Sequence, residues 1–127
     1  MNIREQVYNK YNQKCAYSGT DLESDWQIDH VVPHRGNKRL RDDNIKNLMP
    51  VQKIINHYKR ALKLEDFRGW YLGGLHKRLA KLPQNPRSER GIKRKKYLLR
   101  VASYFEITPD KPFCGKFYFE TLKPQNT

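Results

Sequence analysis

The chain has 127 residues, enough for one compact domain with a small core. Its 26 Lys and Arg against 13 Asp and Glu leave a net charge of +13, which points to a polyanionic partner. A content of 37% hydrophobic and 12% aromatic residues is too apolar for a disordered basic tail, and no apolar run approaches the roughly 18–20 residues of a bilayer span. The opening MNIREQVYNKY lacks the apolar stretch of a signal peptide, and the two cysteines, Cys15 and Cys114, make no disulfide framework. Secretion and membrane insertion are therefore not expected, and a cytoplasmic protein is.

The first element is a helix. Asn2 caps it, Glu5 completes a capping box, and Ile3, Val7 and Tyr11 recur on one face. Residues 14–22, KCAYSGTDL, form a turn segment broken at Ser18-Gly19. Trp26 to Val32 is rich in strand formers and stops at Pro33. A charged loop, residues 34–44, follows. Pro50 is placed in the first turn of a second helix, whose stripe is Val51, Ile54, Ile55, Tyr58 and Leu62. Gln52, Asn56, Lys59 and Lys63 then fall on its polar face.

A third helix covers about 64–82, weakened at Gly73-Gly74. Ser88 caps a fourth, with Leu98, Val101, Ala102 and Phe105 on its apolar face. Its first half holds Arg90, Lys93, Arg94, Lys95, Lys96 and Arg100, and no acid falls between Glu89 and Glu106 to neutralise them. Lys116 to Glu120 reads as a closing strand, about 116–122. The fold class is α+β, and residues 1–127 are read as one domain.

Two stretches carry chemistry. Asp29-His30 ends a strand, and it offers a hard oxygen ligand for a divalent cation beside a group that takes a proton near neutral pH. Alternation along a strand sends the two side chains to opposite faces unless the strand ends or twists there. Asn56 brings a carbonyl oxygen, with Lys59 and Lys63 one and two turns on. Taken singly, each is ordinary: a buried polar residue, a solvated helix face.

In order and spacing, KCAYSGTDL, QIDHVVPHRG, NIKNLMP and INHYKRALKLEDFR resemble the HNH nuclease family and its ββα-metal finger. The match covers the N-terminal half, with the second half similar to small stand-alone phage-type HNH proteins. The resemblance implies a core over about 12–63, a helical extension over about 64–106 and the C-terminal strand. It further implies a DNA endonuclease in which His30 is the general base and Asn47 holds the loop and His30 in place. Asp29 and Asn56 would bind one divalent cation, Mg²⁺ first, with Mn²⁺ or another divalent as alternatives. His57 is a minor candidate for the Asn56 position. DNA phosphates would be met by Arg35, Lys38, Arg39, Lys59, Lys63, Lys93, Arg94, Lys95 and Lys96. Many family members bind a structural zinc through four cysteines; the corresponding positions here are Cys15, Ser18, Gln52 and Ile55, and no zinc is expected. The alternative function is a non-catalytic basic DNA-binding module on the same scaffold.

Overall fold

The computed structural model describes residues 2–33 and 41–122. It is a mixed helix and sheet protein whose residues fall into two compact units, 1–65 with 116–127, and 66–115. In the first unit, helix α1 (Ile3–Asn9) starts where Asn2 Oδ1 accepts the Glu5 backbone N–H at 2.8 Å. Val7 is its buried anchor, while Ile3 at the fraying end stays exposed. Strands β1 (Gln27–His30) and β2 (Leu48–Val51) form an antiparallel pair in the register Gln27–Val51, Ile28–Pro50, Asp29–Met49 and His30–Leu48. A 3₁₀ turn (Ile45–Asn47) leads into β2, and helix α2 (Lys53–Lys59) leaves it.

Pro50, expected in the first helical turn, instead lies in β2. The reason is the ladder geometry. Its carbonyl accepts from the Ala16 N–H at 2.8 Å, so its backbone groups point away from β1. At such a position a missing N–H removes no ladder hydrogen bond.

Val7, Trp26 and Leu48 form an apolar cluster with Tyr8, Leu22, Ile28 and Ile45 packed on it. Arg4 lies 3.9 Å above the Trp26 ring and donates to the Trp26 carbonyl at 2.9 Å. Lys10 points its ammonium at the 3₁₀ turn, donating to the carbonyls of Ile45 at 2.7 Å, Lys46 at 3.3 Å and Leu48 at 2.9 Å. Burial lowers its pKa from the ordinary lysine value.

The turn expected at Ser18-Gly19 is present, flanked by a Lys14–Asp21 bridge. Gly19 has φ +73°, and a Cβ there would meet the Tyr118 ring at 2.8 Å, so both conformation and space demand glycine.

The expected C-terminal strand is absent: Tyr118–Thr121 is a helical turn, α6. Glu120 decides it. Its Oε1 accepts the Phe117 N–H at 2.9 Å and closes the turn, while the Tyr118 and Phe119 N–H groups donate to the carbonyls of Tyr17 and Ala16. Alternating aromatics suggest a strand, yet here Phe117 and Phe119 both pack on the Tyr17 ring, at 5.1 and 6.1 Å between centroids.

Helix α3 (Leu64–Asp66) is one turn and runs directly into the second unit as a π-helix, Phe67–Leu72. The weakness expected at Gly73-Gly74 is a real break, and helix α4 (Leu75–Lys81) restarts after it. A Cβ on Gly73 would strike the Gly69 carbonyl. Arg78 donates to the carbonyls of Trp70 and Tyr71, which terminate the π-helix. Helix α5 (Glu89–Tyr104) begins where Ser88 Oγ accepts the Gly91 N–H at 3.0 Å. Leu98, Val101 and Ala102 are buried, and with Phe67, Leu72, Leu75, Leu79 and Ile107 they form this unit's interior.

Candidate functional site

The two faces of β1 do different things. Trp26 and Ile28 lie on the face of the apolar cluster; Gln27 and Asp29 alternate onto the other. Helix α2 lies across that second face. Asn56 Nδ2 donates to Gln27 Oε1 at 2.8 Å, and Lys59 Nζ sits 3.1 Å from Asp29 Oδ2. Three residues of helix rise about 4.5 Å and two residues of strand about 6.6 Å; the long lysine spans the difference.

Asp29 is 7% exposed and Lys59 is 0% exposed. The Tyr17 hydroxyl donates to the same Oδ2 at 2.5 Å. Burial raises the Asp29 pKa, and the Lys59 charge and the Tyr17 hydrogen bond pull the other way. Tyr17 is pushed well up by its own burial, reinforced by the Asp29 charge. Apart from the ion pair, the Lys59 ammonium finds no hydrogen-bond acceptor among the described residues. The sequence places Lys59 on a solvated face, reaching for phosphate. It is buried because Asp29 draws it inward, so its charge serves the interior.

Gln52, also expected on the polar face, is fully buried at the N-terminus of α2. There it donates to Thr20 Oγ1 at 3.0 Å and the Asp21 carbonyl at 2.7 Å, and accepts the Glu23 N–H at 3.0 Å. Of the four positions compared with zinc ligands, Cys15 and Ile55 are buried and Ser18 Oγ pairs with Thr20 Oγ1 at 2.7 Å. One amide side chain thus ties the turn segment to α2.

His30 and Asp29 take different partners. The His30 imidazole is directed to Asp43, Nε2 to Oδ1 at 2.8 Å, and Arg41 Nε reaches the same oxygen at 2.7 Å. Asn47 is buried and joins two separate stretches. Its Oδ1 accepts the Val32 N–H at 2.8 Å, and its Nδ2 donates to the carbonyls of Val32 at 3.3 Å and Asp42 at 2.8 Å. Beside it lies an open groove of about 540 Å³, lined by Val31, Val32, Met49 and Phe119 among others, without Asp29 or Asn56.

The donor set suits a hard divalent cation in kind: one carboxylate and one amide carbonyl, to be completed by water and phosphate oxygens. The Tyr17 and Lys59 contacts both fall on Asp29 Oδ2, and Asn56 engages Gln27 through its nitrogen, which leaves Asp29 Oδ1 and Asn56 Oδ1 as the candidate ligand atoms. No cluster of three or more His, Cys, Asp or Glu occurs among the described residues.

Of the expected phosphate contacts, Arg35, Lys38 and Arg39 lie outside the described residues. Lys63, Lys93, Arg94 and Lys96 are exposed. Two details of α5 differ from expectation. Glu89 does neutralise locally, pairing with Lys93 at 3.3 Å across one turn, and Lys95 donates to the carbonyls of Pro83 and Gln84 at 3.0 and 2.6 Å. No described helix is long and apolar enough to cross a membrane. In comparisons with known proteins, no family model, no curated protein and no solved structure matches this chain.

Proposed function

We propose that the protein is a metal-dependent endonuclease of the HNH type, hydrolysing phosphodiester bonds in DNA. The observation that carries this reading is the anchoring of Val32 and Asp42 by Asn47, directly after a strand ending in Asp29-His30 and before a helix bearing Asn56. In this reading Asn47 holds the chain around the base, and Asp29 and Asn56 would share the cation. In the proposed reaction His30 takes a proton from the attacking water. Asp29 and Asn56 would hold the cation; when bound, it supplies charge stabilisation at the phosphoryl and leaving oxygens. The exposed cations Lys63, Lys93, Arg94 and Lys96 give sequence-independent affinity for phosphate.

A second reading is favoured by the engagement of Asp29 with Lys59 and Tyr17: a non-catalytic DNA-binding module in which the carboxylate is structural. Supercoiled plasmid with Mg²⁺ or Mn²⁺ separates the two. The nuclease reading expects cleavage by the wild type and a loss of about 10²–10⁴-fold in His30→Ala, with DNA retardation unchanged. Retardation without cleavage in both proteins establishes the binder. Cleavage by His30→Ala within threefold of wild type overturns the assignment of the base.

A further inference from the structure

We propose that Asp43 is a positioning residue for His30, holding the imidazole with its proton on Nε2 and its lone pair on Nδ1. The inference rests on the nuclease reading and adds to it the residue that selects which ring nitrogen is basic.

Four observations carry it. First, the His30 side chain is 20% exposed at the end of β1, with Nε2 2.8 Å from Asp43 Oδ1. Secondly, an ionised carboxylate can only accept, so the nitrogen facing it must be the one that bears hydrogen. In neutral imidazole the lone pair then belongs to Nδ1. Thirdly, Asp43 is itself held. Arg41 donates to the same oxygen at 2.7 Å, and together with His30 it keeps the Asp43 carboxyl below its ordinary pKa, the His30 hydrogen bond contributing most. Fourthly, the backbone that presents Asp43 is pinned on both sides. Asp42 Oδ1 accepts the Asn44 N–H at 2.9 Å, Asn44 Oδ1 accepts the Lys46 N–H at 3.0 Å, and the Asp42 carbonyl is held by Asn47.

The consequence for the reaction is specific. When Nδ1 takes a proton from water, the imidazolium that forms already has a carboxylate at its far nitrogen, so no reorientation accompanies the transfer. Nothing about Asp43 in the sequence, one acid in a run of charged loop residues, distinguishes it from its neighbours.

The test uses the full chain, with Asp43→Asn and Asp43→Glu variants checked for folding by circular dichroism. Nitrogen-detected NMR of the imidazoles, with His30→Ala identifying the His30 signals among the four histidines, reads the tautomer directly. The expected result is an Nε2-protonated His30 in wild type, loss of that bias in Asp43→Asn, and its return in Asp43→Glu. Plasmid cleavage should follow the same order, falling about 10–100-fold in Asp43→Asn at unchanged DNA retardation, the usual scale for a residue that orients a ligand or base. An unchanged His30 signal in Asp43→Asn overturns the proposal whether or not DNA is cut. A changed signal with wild-type cleavage overturns the positioning role alone. A wild type that never cleaves overturns the nuclease reading, and the positioning role falls with it.

Discussion

Both units bury apolar residues, but they differ in what else they bury. Among the described residues, all four buried polar or charged positions, Asp29, Asn47, Gln52 and Lys59, belong to the first unit. The second unit buries Phe67, Leu72, Leu75, Leu79, Leu98, Val101, Ala102 and Ile107, all apolar. It wears its charge outside: residues 66–115 hold 12 Lys or Arg and 4 Asp or Glu. The first unit therefore adds to its apolar core directional interactions that fix particular atoms, while the second relies on area removed from water. Directional interactions make a site; area makes a platform for surface charge.

The sharpest way to break this contrast is to remove one partner of the buried pair. Lys59→Met should destabilise the fold by about 3–5 kcal/mol at neutral pH, because it leaves the Asp29 carboxylate buried without a counter-charge. The double variant Asp29→Asn with Lys59→Met should recover most of that loss. Denaturant unfolding measures both, and a Lys59→Met protein within about 1 kcal/mol of wild type would show that the pair contributes little. In the second unit the corresponding blow is a cavity. Leu75→Ala should cost about 2–5 kcal/mol, and no ionising side chain is removed, so the loss should barely change with pH.

A smaller effect distinguishes burial from attraction at Asp29. Its folded pKa is raised, with burial as the leading cause. Protonation therefore favours the fold: the stability linked to Asp29 is fully present below the ordinary carboxylate range and is lost as pH rises through the folded pKa. Wild-type stability relative to Asp29→Asn should accordingly decline over that interval. A rise would mean that the Lys59 attraction outweighs burial. The smallest effect on folding belongs to the platform. Neutralising Lys93, Arg94, Lys95 and Lys96 together should change stability by no more than about 0.5 kcal/mol. The log–log salt slope of DNA binding should change by about 0.9 for each phosphate no longer neutralised. Lys95 is already committed to two carbonyls, so a change of about 2.7, for three phosphates rather than four, is expected. An unchanged slope would assign this face to another partner.

Much of the molecule is legible in its residues. Asn2 and Ser88 act as caps, Gly73-Gly74 breaks a helix, and Gly19 marks a turn, because these signals are local and written in one or two side chains. Leu98, Val101 and Ala102 face inward as their spacing requires. What sequence patterning misses depends on distant partners. Pro50 is tolerated in a strand because Ala16 takes its carbonyl, and the closing segment is helical because Glu120 turns back on Phe117. Lys59 and Gln52 look solvated by periodicity, and only Asp29 and residues 20–23 explain why they are buried. At the candidate site, Asp29 and His30 take different partners, in keeping with alternation along a strand. Asp43 could not be chosen from sequence, since its importance lies in standing opposite a strand end 13 residues away.

Lys10 has a consequence for how the first unit can be divided. Its ammonium occupies a ring of three carbonyl oxygens on the turn that carries Asn47 and on the first residue of β2, much as a bare potassium or ammonium ion would, except that this cation is covalently leashed to α1. A fragment cut at residue 12, keeping everything from the first turn segment through α2, would leave that oxygen ring empty. Acetylation of the amine would do the same chemically, replacing a charge with an amide that has one N–H to offer. The N-terminal helix is in this sense a built-in counter-ion, and a minimal version of the unit must carry it along.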